Sequence, residues 1–199
     1  MFCALAYGAT FVFRIPVMFL TFDAKDTIIT IAALMYGPVS GVAISFVTAL
    51  LELITISGTG VYGFIMNFAS SAAFSATAAL IYKYKRNASG AIISFYAASI
   101  VMVTVMMLLN MFVTPYYMGV TTETVIELIP TLFLPFNLAK ALLNSALAMM
   151  LYKPVTVAMR RAGLLQGNAK MQINRSFVAI YITAIVTLVV AIVMFVFLT

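Results

Sequence analysis

From Phe177 to Leu198 the chain runs without a single charged residue, and several earlier stretches are nearly as bare. An apolar run of about 20 residues matches the thickness of a bilayer's hydrocarbon core. Backbone groups in lipid must be satisfied internally, which leaves helices or closed barrels. The rest of the composition agrees. Of 199 residues, 65% are hydrophobic and only 8% are charged, against about 25% in a typical soluble domain. The sequence therefore predicts an all-α integral membrane protein with short loops and no large domain outside the bilayer.

Several chemistries are excluded. There is no histidine, so neither a Ser-His triad nor a His-ligated metal site is available. The single cysteine, Cys3, allows no internal disulfide and no multi-cysteine cluster. No glycine is followed by lysine, so there is no P-loop to cradle ATP. No catalytic residue, metal or cofactor is expected.

Seven apolar runs are legible: Met1–Phe19, interrupted by Arg14 and Pro16; Thr27–Tyr36, ending at Gly37-Pro38; Val39–Ile56, ending at Ser57–Gly60; Val61–Tyr82, stopped by Lys83, Lys85 and Arg86; Gly90–Val113, stopped at Pro115; Ile126–Tyr152, stopped at Lys153-Pro154; and Phe177–Leu198. The expected organisation is a six-helix domain over residues 1–155, a basic cytoplasmic linker over 156–175, and an extra transmembrane helix over 176–199. Only 13 residues precede Arg14, short of the ~20 a span needs, so a shortened start is expected.

Cytoplasmic loops of membrane proteins are rich in Lys and Arg. Lys83, Lys85 and Arg86 follow the fourth run; Lys153, Arg160, Arg161, Lys170 and Arg175 follow the sixth. Two crossings separate the clusters, so both fall on the cytoplasmic side. The N-terminus is then cytoplasmic, and Arg14–Asp26, Ser57–Gly60 and Thr114–Val125 face outside, as would the C-terminus. Topology accounts for these charges without a nucleic acid.

A charge at membrane depth costs about 2.5–3.5 kcal/mol on insertion scales, so the few polar residues within spans are informative. Asn137, Lys140 and Asn144 share one face of the sixth span, spaced by three and seven. Lys140 is mid-span, with no carboxylate near it on its own helix. A solvated cavity or polar ligand would satisfy it; an interhelical partner such as Glu52, or water, is the alternative. Glu52 is open to three roles: bonding a ligand, pairing with Lys140, or reaching the outer interface.

Asn67, Ser71 and Ser75 form an i, i+4, i+8 stripe on the fourth span. Helix packing explains the serines, and Asn67, nearer the outer end, is a ligand candidate. Asn110 precedes Thr114-Pro115-Tyr116-Tyr117, and its amide offers both a donor and an acceptor to a flat polar ring. The tyrosines alone read as an aromatic belt. Asp26 suits the N-cap of the second span. With Pro16, the Phe22–Asp26 charge cluster suggests an ordered loop over the outer face. Ala4 and Gly8, small and four apart, would let another helix approach closely.

Taken together, several motifs carry a resemblance. Phe22-Asp23-Ala24-Lys25-Asp26 stands before a short second span, followed by Tyr36-Gly37-Pro38, Gly41 and Glu52. This order resembles the S component of energy-coupling-factor (ECF) vitamin transporters. Gly58–Gly63 with Met66-Asn67, Asn110 with Pro115-Tyr116, and Leu134–Lys140 with Leu151-Tyr152-Lys153-Pro154 resemble the riboflavin-specific branch. The resemblance spans roughly residues 10–160.

The resemblance implies a six-helix subunit in a bacterial cell membrane that binds riboflavin from outside. It implies as partners a transmembrane coupling subunit and two ATPase subunits, where ATP is hydrolysed. Ala4 and Gly8 match the small residues that contact the coupling subunit. Asn110 and Lys140 match flavin-contacting positions, with Asn137, Phe22 and Asp23 beside them. Glu52, Asn67 and Tyr116 complete the candidate site. The seventh span departs from the six-helix pattern and is not expected to touch the cavity. Alternatives are the same fold with another vitamin or precursor, and a membrane protein that does not transport.

Overall fold

The computed structural model describes residues 1–12, 15–17, 20–164 and 175–197. Helices α1 (Phe2–Val12) and α2 (Lys25–Tyr36) flank a hairpin of β1 (Ile15–Val17) and β2 (Leu20–Phe22). The strands are antiparallel, with Ile15 opposite Phe22. Next come α3 (Pro38–Thr55), α4 (Gly60–Tyr84), α5 (Ala88–Met118), α6 (Thr122–Leu128), a π-helical turn (Ile129–Phe133), α7 (Leu134–Arg161) and α8 (Arg175–Val196).

Among the described residues, five helices are long and apolar enough to cross a bilayer: α3, α4, α5, the continuous Thr122–Arg161 stretch, and Phe177–Val196 within α8. With α6, the π-helical turn and α7 taken as one, the described residues form seven helices, matching the expected six plus one, and α1 and α2 are the two short ones. At 1.5 Å per residue, the 11 residues of α1 and 12 of α2 reach only about 17–18 Å, well short of the roughly 30 Å core. The chain between them turns into the hairpin, which the sequence reading took for a loop. Arg14 lies outside the described residues.

Local chemistry explains the boundaries. Gly37 turns the chain with φ 103°, a value disfavoured for other residues, and Pro38 then opens α3 with the φ that a helix start requires. Asn87 caps α5 by accepting from Gly90 N at 2.7 Å. Two expected stops do not hold. Helix α5 runs through Pro115 to Met118, and α7 runs through Pro154 to Arg161, into the stretch read as a linker.

Each proline removes one N–H from its helix. For Pro154 the acceptor left over is the Met150 carbonyl, four residues earlier. The Tyr181 hydroxyl of α8 donates to it at 2.7 Å. A neighbouring helix thus replaces the missing bond, and the helix continues.

The interior joins α4, α5 and α7 through Phe74, Phe95, Met102 and Met149, with Ala184 of α8 against them. Where α2, α3 and α4 meet, the backbones come very close. A Cβ on Gly41 would stand 2.7 Å from the Ala33 Cβ and 3.0 Å from the Ser75 Oγ. Small residues at this crossing permit the approach, as in other membrane bundles.

Candidate functional site

At the end of the bundle remote from Lys83 and Arg160 lies a cavity of about 680 Å3. Its wall draws on β2, the loop after it, the α3–α4 turn, and the same-side ends of α4, α5 and α7. These are the segments whose charge pattern predicted an outward orientation. Such a volume lies within the range of about 300–1,000 Å3 typical of small-molecule sites.

Four charges line this cavity: Asp23, Lys25, Glu52 and Lys140. All are buried, and they form one chain of contacts. Asn67 Nδ2 donates to Glu52 Oε2 at 2.9 Å. Lys25 Nζ grips both Glu52 oxygens, at 2.7 and 2.6 Å, and stands 4.0 Å from Asp23 Oδ2. Lys140 Nζ meets Asp23 Oδ2 at 3.0 Å. Two cations offset two anions, which is the condition for keeping such groups out of water. Burial works to raise the Asp23 carboxyl, but the Lys140 and Lys25 ammonium groups outweigh it, and the group stays below its ordinary value.

The partner of Lys140 is therefore Asp23, not Glu52. Glu52 is committed to Lys25, which the sequence reading left out of the candidate site. Its signal was present: Lys25 lies between two aspartates in a chain with five acidic residues. The N-cap role expected of Asp26 is also corrected. Asp26 lies inside the first turn of α2, where its carboxylate accepts from the Ser71 hydroxyl. Ala24, at the cap position, offers no side-chain bond. Free N–H groups of α2 are met instead by Asp23 Oδ1, from Lys25 N at 3.3 Å, and by Asn144 Oδ1, from Thr27 N at 3.0 Å.

Asn110 and Asn137 also line the cavity. Asn110 Nδ2 donates to Met106 O at 2.7 Å and its Oδ1 accepts from Thr114 Oγ1 at 2.9 Å. Asn137 Nδ2 donates to Phe133 O at 2.8 Å, at the end of the π-helical turn. Each cavity-lining amide is thus fixed in rotation by its own helix. Apolar wall comes from Met66, Met106, Val113 and Phe136. The hydroxyl of Ser70, on the same wall, is buried and has no partner among the described residues.

Two candidates fall outside the lining. Phe22 is buried one layer behind it, its ring 4.5 Å from that of Phe136. Tyr116 is 77% exposed on the outside of the bundle; Tyr117, one position on, lines the cavity instead. A step of one residue turns a helical side chain by about 100°, which explains the substitution. Ala4 and Gly8 stand apart from the cavity on α1. Ala4 is exposed, and a Cβ on Gly8 would meet no atom within 4 Å.

The family model for the substrate-specific component of ECF transporters matches residues 1–152. The chain belongs to this family. The S component is 32% identical over 170 residues to the riboflavin transporter RibU of Staphylococcus aureus, covering 81% of this chain and 89% of the relative. A solved structure of the S component of a bacterial ECF transporter superposes with a TM-score of 0.69 at 31% identity, covering 81% of this chain and 94% of the other. With five apolar membrane-span helices, this S component is a multi-pass membrane protein. The match to the family model ends inside α7, so α8 lies beyond it.

Proposed function

We propose that this S component captures riboflavin, or a close flavin, in the charge-lined cavity and delivers it for ATP-driven uptake. The observation that carries the reading is the composition of the cavity wall. Rotationally fixed amides of Asn110 and Asn137 and the Lys140 ammonium suit the donor–acceptor edge of an isoalloxazine. Met66, Met106 and Phe136 suit its apolar edge. The Asp23–Lys25–Glu52–Asn67 chain and the Ser70 hydroxyl suit the hydroxyls of a ribityl tail. Similarity to a riboflavin transporter supports the same ligand.

Binding and release are the whole task of this subunit. ATP hydrolysis belongs to separate ATPase subunits, reached through a transmembrane coupling subunit that approaches the Ala4–Gly8 side of α1. The open space over Gly8 and the exposure of Ala4 favour that side.

Protein expressed in flavin-containing medium and washed in detergent tests the reading. Retained flavin absorption in wild type, lost in Lys140→Ala, is the expected result. A folded wild type that neither carries flavin nor quenches added riboflavin fluorescence overturns it. A vitamin competition panel would then identify the cargo.

A further inference from the structure

Helix α8 lies beyond the residues matched by the family model, yet it is keyed into the bundle at three levels. Near its start, the Tyr181 hydroxyl bonds the Met150 carbonyl that Pro154 leaves open. Midway, Thr187 Oγ1 and the Tyr96 hydroxyl are 2.6 Å apart. At its far end Phe195 meets Phe22 edge-on, with centroids 4.8 Å apart and planes at 90°. Met194 and Phe195 pack there on Phe22, Phe136 and Ala139.

The last contact bears on the site. Phe136 lines the cavity, and Phe22 immediately precedes Asp23, the partner of Lys140. The hairpin before it has only three residues per strand; polar bonds from Lys140 and Asn144 hold Asp23 from the α7 side, and Phe195 closes the apolar side of Phe22. We propose that α8 is a brace for the ligand-binding loop, and that Phe195 is a positioning residue. By trapping Phe22 against Phe136 it holds Asp23 on Lys140. The brace sets how long the cavity stays closed over its cargo, while the cargo itself is selected by the lining. The kinetic arm of this proposal rests on the riboflavin reading; the exchange arm does not.

The test uses the full chain in detergent. Without ligand, amide hydrogen exchange across Leu20–Asp26 should quicken at least about threefold in Phe195→Ala, the scale of an edge-on aromatic pair. Val189→Ala, on the exposed face of α8, should leave it unchanged. Tyr181→Phe should lower the melting temperature without altering exchange in the loop. Phe195→Leu should fall between wild type and Phe195→Ala, and it serves if the alanine variant does not fold. With riboflavin, dissociation should be roughly two- to tenfold faster in Phe195→Ala at unchanged association. Loop exchange that stays at the wild-type rate in Phe195 variants with lowered melting temperatures would overturn the proposal, reducing α8 to a stabilising helix. Absence of riboflavin binding by wild type would overturn the riboflavin reading alone, since the exchange comparison needs no ligand.

Discussion

Lys140 and Asp23 are separated by 117 positions in the chain, and their charged groups meet at 3.0 Å within the cavity wall. The pair ties the loop between β2 and α2 to α7. Both side chains are under 10% exposed. Breaking such a pair by removing one member costs about 3–5 kcal/mol, mostly through the charge left behind. Lys140→Met and Asp23→Asn should therefore each destabilise the protein more than the double variant does. Thermal unfolding in detergent measures this. Riboflavin affinity should fall by about a hundredfold or more in each single variant, on the scale of 1.4 kcal/mol per factor of ten. A double variant that is the sum of the singles would show that the pair is not coupled.

The same carboxyl sets an acid limit. The pKa of Asp23 is lower in the folded protein than in the unfolded chain, where an aspartate titrates near pH 4. In that window the unfolded state binds more protons, so stability rises with pH. Its contribution is complete above the unfolded value and is lost as pH falls through the folded one. Melting temperature and flavin binding should be insensitive to Asp23 between about pH 5 and 8 and decline only in stronger acid. Comparing wild type with Asp23→Asn isolates the group: the variant should be weaker at neutral pH and lose less on acidification.

Much of this arrangement was legible from the residues alone. Helical, membrane-spanning architecture was legible in the long uncharged runs, because a span needs them whatever its packing. Asn110, Asn137, Lys140, Glu52 and Asn67 stood out because polar groups are costly at membrane depth. Pairing was not legible. Whether Glu52 met Lys140 or Lys25 depends on where a hairpin places Asp23, and Leu20-Thr21-Phe22 carries no strong strand signal. Pro154 misled for a related reason. The carbonyl that Pro154 leaves open accepts from Tyr181, 27 residues on, and the helix continues. The contact of α8 with Phe22 is equally non-local, and an uncharged helix gives no hint of which face turns inward.

Lys25 and Glu52 form a tighter ion pair than Lys140 and Asp23, with both carboxylate oxygens within 2.7 Å of the ammonium. Asn67 bonds the same carboxylate. Glu52→Gln keeps the shape but removes the charge, leaving Lys25 with Asp23 at 4.0 Å. Lys25 is then expected to draw Asp23 away from Lys140, so the variant should lose flavin affinity by about tenfold or more. Lys25→Met with Glu52→Gln removes both charges and should recover melting temperature relative to Glu52→Gln. Isothermal titration and thermal unfolding on the same preparations separate the two effects. A Glu52→Gln protein with wild-type affinity would show that the pair is structural only.

Asn144 joins three segments: α7, the start of α2 and the loop that carries Asp23. Its Oδ1 accepts from the backbone N of Thr27 at 3.0 Å and from Thr27 Oγ1 at 2.8 Å, while its Nδ2 donates to Asp23 O at 3.2 Å and to Lys140 O at 3.1 Å. One amide of α7 thus caps α2 and ties down the carbonyl of the residue that pairs with Lys140. Asn144→Ala strands one donor, Thr27 N, and one acceptor, Asp23 O, in a buried position, while Thr27 Oγ1 keeps the Asn144 backbone carbonyl. Each orphaned group costs about 1–3 kcal/mol, so the loss should exceed that of an ordinary helix-cap deletion, typically about 1 kcal/mol. Asn144→Asp tests the donor side alone. It keeps the cap on Thr27 but has no N–H for Asp23 O, and it adds a negative charge near Asp23. It should therefore retain more helical structure than Asn144→Ala while binding flavin worse than its melting temperature would suggest. Equal losses of stability and affinity in both variants would show that Asn144 acts only as filler.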